Sequence, residues 1–229
     1  MIEVDRLMTD VLEIKLIQMM ENAGRNLARL CVQRFIRNPA SKKVVVLAGA
    51  GGNGGGAMVA ARRLHQWGAD VQVLTTKPAA EFSGVPAHQL GILRQLGITV
   101  LDKDFPARDI TPDAILDGVI GYSLKGDPRG RAKELIQWTA TVQAPILSLD
   151  VPSGIDSTEG VVRAPSVIAT ATMTLAAPKV GLSVAQAQAN IGELYVADIG
   201  VPDWVYQQIH GLKNMGSVFS TSDVVKVNP

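Results

Sequence analysis

Three groups of residues in this chain could do chemistry, and each follows a short apolar run. The first is Gly49, Gly51, Gly52, Gly54, Gly55 and Gly56, gathered around the single Asn53. The second is Asp117-Gly118, leading into Gly121-Tyr122-Ser123-Leu124-Lys125-Gly126-Asp127. The third is Asp150-Val151-Pro152-Ser153-Gly154-Ile155-Asp156. Glycine at this density suits a backbone that must take positive φ or approach a ligand closely. Placed between a strand and a helix N-terminus, it presents unpaired N–H groups to an anion, so the first group reads as a phosphate-cradling turn. Aspartate is a common N-cap and turn former. Two aspartates at strand ends beside a phosphate turn nevertheless weigh towards a site.

The turn can be classified further. Gly49-x-Gly51-x-x-Gly54 satisfies the dinucleotide fingerprint, which also calls for a carboxylate about 20 residues on, at the end of the next strand, to hold the ribose. That strand ends instead in Thr75-Thr76-Lys77, so an ordinary NAD dehydrogenase is not expected. No Gly-Lys-Ser/Thr closes the loop, so it is not a Walker A. His65 and His88 fall on predicted surface helices and His210 in a terminal segment. None has a serine–carboxylate setting, and neither a hydrolase triad nor a zinc site is expected. Cys31 is the sole cysteine, on the apolar face of a predicted helix, and reads as an inert core thiol.

The elements that must position these groups follow from hydrophobic pattern. Strand-like runs occur at residues 44–47, 71–74, 98–101, 114–117, 145–149, 172–176 and 194–198. Helical spacing covers 4–14, 15–37, 87–96 and 131–141, with a further small-faced helix after the glycines. The alternation predicts an α/β fold, a three-layer αβα sandwich around a Rossmann-like, doubly wound, mostly parallel sheet. In such a sheet the ligand lies beyond the carboxyl ends of the strands, where all three groups fall. The 229 residues suit a single domain spanning 1–229, and the net charge of +1 without charge runs predicts no nucleic-acid or membrane partner. With no apolar stretch of spanning length and no signal peptide, the expected location is cytoplasmic.

At these residues the chain resembles the YjeF N-terminal domain family, the NAD(P)H-hydrate epimerases. Met20-Glu21-Asn22-Ala23-Gly24 resembles the family's M-E-N-A-G, and residues 49–56 lie where it has G-x-G-N-N-G-G-D. Residues 117–124 match D-A-x-x-G-T-G-L, and residues 150–156 match D-I-P-S-G-x-D. Ala177-Pro178-Lys179-Val180-Gly181-Leu182 is similar to the late G-x-P-K-x-G-L, and residues 192–202 to G-x-x-x-V-x-D-I-G-I-P. The similarity runs from about Asp5 to Pro202, and D-x-P-S-G-x-D is its most specific part.

The resemblance implies repair of damaged nicotinamide cofactors: interconversion of the R and S forms of hydrated NADH and NADPH at C6. A separate dehydratase, acting on one epimer, would complete the repair, because this chain has no room for the dehydratase domain of fused members. The resemblance also implies potassium held by Asn53, Asp117 and Ser153, acid–base work by Asp150, and a possible homodimer. By the same matching, substrate contacts fall on Gly52, Asn53, Gly54, Gly55, Gly56, Gly121, Tyr122, Ser123, Leu124, Lys125, Gly126, Asp127 and Asp150. Lys125, Arg129 and Lys179 are candidate cations for the diphosphate. Three departures stand out: Gly52 replaces the family's first loop Asn, Gly56 its loop Asp, and Tyr122-Ser123 its Thr-Gly. The competing expectation is a non-catalytic, dimerising scaffold of the same fold that binds nucleotide or RNA. Such a module can dispense with the catalytic carboxylate, whereas Asp150 is retained here.

Overall fold

The structure, a computed structural model, describes residues 2–105, 111–210 and 215–227. Eight strands form one sheet: β1 Lys43–Ala48, β2 Asp70–Thr75, β3 Thr99–Leu101, β4 Ala114–Gly118, β5 Ile146–Leu149, β6 Ala171–Leu175, β7 Glu193–Ala197 and β8 Val224–Val227. Their order is β3-β2-β1-β4-β5-β6-β7-β8. All neighbours run parallel except β7 and β8, which are antiparallel. The direction of strand progression reverses between β1 and β4, and that switch opens a crevice at the strands' carboxyl ends. The fold is therefore the expected three-layer, mostly parallel α/β sandwich.

Period-two alternation divides the core. Val44, Val46 and Ala48 of β1 pack under α2 (Leu16–Cys31), α3 (Gly52–Gln66) and α4 (Gly84–Gln95), with Leu27, Met58, Leu64 and Leu90 as principal fillers. Val45 and Leu47 face the opposite layer, against Leu135 and Ile136 of α5 (Gly130–Thr139). A third apolar cluster joins α1 (Ile2–Arg6) to residues near the C-terminal ends of the strands, through Val4, Met8, Met19, Ala176, Ile199 and Tyr206. This cluster carries α1 to the mouth of the crevice. Cys31 is fully buried in the core, and burial pushes its thiol up to about 12, as an inert core cysteine requires.

The main departure from expectation concerns the glycines. Residues 52–56 are not loop: α3 begins at Gly52, with Gly51 as its N-cap. None of the glycines from 49 to 56 takes a positive φ. Close packing explains them instead. A Cβ on Gly54 would stand on the Gly49 carbonyl oxygen, and one on Gly49 would meet the Val119 carbonyl. Gly55 leaves room for the Met20 thioether, and Gly24 of α2 lets that helix approach Gly56 and Val59 of α3. The tail forms the short strand β8 on β7, while residues 211–214, 228 and 229 and the side chain of His210 lie outside the described residues.

Candidate functional site

A cavity of about 440 Å³ lies at the switch point, a volume suited to a small-molecule ligand. Its floor is the carboxyl ends of β1, β4 and β5. One wall is apolar, formed by Leu16, Met19, Met20, Ala23, Leu175 and Ile199. The polar lining comes from Asp5, Asn53, Tyr122, Ser123 and Asp150, together with the backbone of Gly51, Gly52, Gly56 and Gly121.

Asp150 follows directly on β5 and has φ +67°. A non-glycine residue in the left-handed region is disfavoured, and such strain concentrates at functional sites. Its N–H donates to the Met173 carbonyl at 2.7 Å, which fixes the turn. The carboxylate is 3% exposed and makes an ion pair with Lys179, Nζ to Oδ1 at 2.5 Å. The same Oδ1 accepts a long bond of 3.4 Å from the Leu175 N–H, while Oδ2 carries no protein hydrogen bond among the described residues.

Asp117 is wholly buried on β4, where parallel register sets it beside Ser148 of β5. Oδ2 accepts from Ser148 Oγ at 2.8 Å and Ser153 N at 2.9 Å. Oδ1 accepts from Ser153 Oγ at 2.6 Å and Val119 N at 3.2 Å. Burial pushes this carboxyl up, and the bonds from Ser153, Ser148 and Val119 pull against that. No basic side chain pairs with it among the described residues. Ser153 Oγ also accepts from Ile120 N at 2.9 Å, tying the β4 loop to the β5 loop. Asn53, in the first turn of α3, sits so close to Gly121 that a Cβ there would lie 3.1 Å from its Cγ. Its buried Nδ2 has no hydrogen-bond partner among the described residues.

The structure thus brings Gly52, Asn53, Gly56, Gly121, Tyr122, Ser123 and Asp150 to one cavity, with Asp117 and Ser153 directly beneath. Gly54 and Gly55 serve helix packing, and Leu124, Lys125, Gly126 and Asp127 lie outside the lining, as does the exposed Arg129. Lys179 is no exposed loop cation: it is 9% exposed and committed to Asp150 and to the Leu175 carbonyl, to which Nζ donates at 2.7 Å. Glu21, in the stretch that resembles M-E-N-A-G, clamps helices by pairing with Arg62 and Arg63 of α3 and accepting from Gln89 of α4. Against the opposing pull of burial, Arg62, Gln89 and Arg63 hold its carboxyl below the ordinary range.

Sequence reasoning missed Asp5. Its Oδ2 accepts from the Tyr122 hydroxyl at 2.6 Å, so α1 and the β4 loop are latched across the cavity mouth. No local signal marks this contact, because its partner lies 117 residues away. Burial, with the Asp5 bond, pushes the Tyr122 phenol up, keeping it a neutral donor.

Residues 16–181 match the model of the family described as YjeF-related protein N-terminus. An NAD(P)H-hydrate epimerase from Dehalogenimonas lykanthroporepellens is 41% identical over 98% of this chain and 89% of its own length. The bifunctional NAD(P)H-hydrate repair enzyme Nnr of Moorella thermoacetica is 31% identical over 87% of this chain, which spans 39% of that longer protein. The crystal structure of yeast ynu0 superposes with a TM-score of 0.81 at 28% identity, covering 98% of this chain and 96% of the yeast one. Matches of this extent, in sequence and in fold, place the chain in the YjeF-related N-terminal family.

Proposed function

We propose that this protein is an NAD(P)H-hydrate epimerase, interconverting the R and S forms of hydrated NADH and NADPH. The observation that carries the reading is Asp150: a buried carboxylate in a strained backbone conformation, with Oδ2 left to the cavity at the sheet's switch point. The activity named for the Dehalogenimonas relative supports it. In this reading the nicotinamide ring lies against the apolar wall, and the diphosphate lies along the N-terminus of α3, whose first residues, Gly52 and Asn53, line the cavity. From its protonated form, Asp150 gives the proton on Oδ2 to the C6 hydroxyl as the ring-nitrogen lone pair forms the C=N bond and the C6–O bond breaks, releasing water. Water then adds to the opposite face of the planar iminium and returns its proton to Asp150, so atoms and charge balance over the cycle. The apolar wall keeps other water away from the cation.

The donor set beneath the cavity fits a potassium ion. Asn53, Ser153 and the buried Asp117 offer hard oxygens, and Asp117 has no basic partner among the described residues. Asn53, whose Nδ2 has no partner among the described residues to fix the amide's orientation, can turn its oxygen to the ion. Such an ion would supply fixed positive charge for a phosphate and for Asp117. A separate dehydratase, a cytoplasmic location and a homodimer complete the reading. The test is to incubate each chirally pure hydrate with the protein in KCl and in choline chloride at equal ionic strength. Epimerisation well above the buffer rate, faster in KCl, is expected; the buffer rate in both salts for both hydrates would overturn the assignment. Thermal stability should also rise in KCl by RT ln(1 + [K⁺]/Kd), and Asp117→Asn should abolish that rise.

A further inference from the structure

We propose that Lys179 is a positioning residue for the reaction, acting only through Asp150; this rests on the epimerase reading above. Three features of the geometry point to it. Lys179 is among the few buried charged residues of the described chain, and its Nζ meets Asp150 Oδ1 at 2.5 Å. Nζ is itself fixed, because it also donates to the Leu175 carbonyl at 2.7 Å. Leu175 then donates its own N–H to the same Oδ1 at 3.4 Å, so ammonium, carboxylate and strand end form a closed ring.

The consequence is a division of labour between the two carboxylate oxygens. Oδ1 is consumed by the ring, which locks the side-chain torsions of a residue already at φ +67°. Oδ2 is the oxygen left to address the cavity. Acid–base efficiency depends on holding such a group within about 0.5 Å of its productive place. A lysine is well suited to this, since its ammonium also compensates a carboxylate that would otherwise stand alone in an apolar surround. Lys179 is absent from the cavity lining, which separates this role from direct contact with a substrate phosphate. The substituent that reaches substrate is Asp150; Lys179 sets its aim.

The experiment compares wild type, Lys179→Ala and Lys179→Arg on both hydrates, measuring kcat and KM separately, with methylammonium titrated into the alanine variant. The expected result for Lys179→Ala is a fall in kcat of about 10²-fold or more, within the range of a disabled acid–base group, at a KM changed less than about threefold. Methylammonium should restore kcat in a saturable way, and tetramethylammonium, which cannot donate, should not. Lys179→Arg keeps the charge and guards against a variant that fails to fold. Its planar guanidinium cannot reproduce both Nζ bonds, so kcat should still fall about tenfold or more with KM kept. A raised KM at unchanged kcat would overturn the proposal by assigning Lys179 to substrate binding. Wild-type kcat in either variant, or rescue by tetramethylammonium, would overturn it too. Wild-type protein inactive on both hydrates would mark the separate failure of the epimerase reading, and this inference would fall with it.

Discussion

Gly24 and Gly91 are both helical glycines, and the structure predicts opposite signs for replacing them with alanine. In α2, a Cβ on Gly24 would stand 2.4 Å from Val59 Cβ and 2.5 Å from the Gly56 carbonyl oxygen of α3. Carbon contacts prefer about 3.5–4.0 Å, so the helices must part by roughly 1 Å or more. Overpacking of this kind costs about 1–3 kcal/mol, and the upper end applies because a backbone oxygen cannot rotate away. Alanine returns about 1 kcal/mol of helix propensity, leaving Gly24→Ala destabilised by about 2 kcal/mol. Around Gly91 in α4, no atom of the described residues beyond its own stretch of helix lies within 4 Å of where a Cβ would stand, so only the propensity gain remains there. Gly91→Ala should therefore be stabilised by up to about 1 kcal/mol. For a chain of this size, those changes correspond to a Tm drop of about 4–8 °C and a rise of about 2–4 °C. Urea unfolding with both variants and wild type, fitted at a common m, reads the difference directly. If Gly24→Ala is stabilised as much as Gly91→Ala, the close approach of α2 to α3 is not what Gly24 is for.

Two other perturbations follow from the same structure. Glu193 is drawn down to about 2 by its hydrogen bond from Tyr195 and, against burial, by Arg34. Because its folded value lies below the 4.5 of an ordinary glutamate, its stabilising contribution is full above that pH and is lost as pH falls towards 2. The unfolding midpoint of wild type should thus exceed that of Glu193→Gln near pH 6 and draw level with it only as pH falls through about 2. The gap should be small, because the Arg34 pair is screened by solvent; a gap that widens on acidification would contradict the pairing. Tyr122→Phe deletes the 2.6 Å latch to Asp5. A bond worth about 0.5–1.5 kcal/mol should loosen α1, so amide exchange in residues 3–12 should quicken by up to roughly tenfold while the sheet is unaffected. Unchanged exchange in that segment would show that the latch does not hold α1.

Sequence pattern located seven of the eight strands because buried parallel strands are short β-branched and aliphatic runs, as in Val44-Val45-Val46-Leu47. The eighth, β8, was legible in the tail as Val224-Val225, enough for a short strand or a docking arm, but its place depends on pairing with β7. Gly52 to Gly56 misled in a specific way. Glycine is a poor helix former, so local propensity argued for a loop, while tertiary packing against Gly49, Met20 and Leu149 made them the start of α3. The strand-end chemistry of Asp117 and Asp150 was legible because topology alone sends both to one edge. Lys179 was legible as part of a motif but not as a buried partner, because lysine is rarely buried and its contact with Asp150 is tertiary. Asp5 carried no signal, its role arising from a loop far along the chain.

The most direct test of the account is the epimerisation rate of Asp150→Asn beside wild type, with binding of a reduced nicotinamide dinucleotide measured on both. The amide keeps the shape of the side chain but can neither give nor take the proton. The account predicts that binding is kept within about threefold, while kcat falls by about 10²–10⁴-fold. An Asn variant that epimerises at the wild-type rate would contradict it.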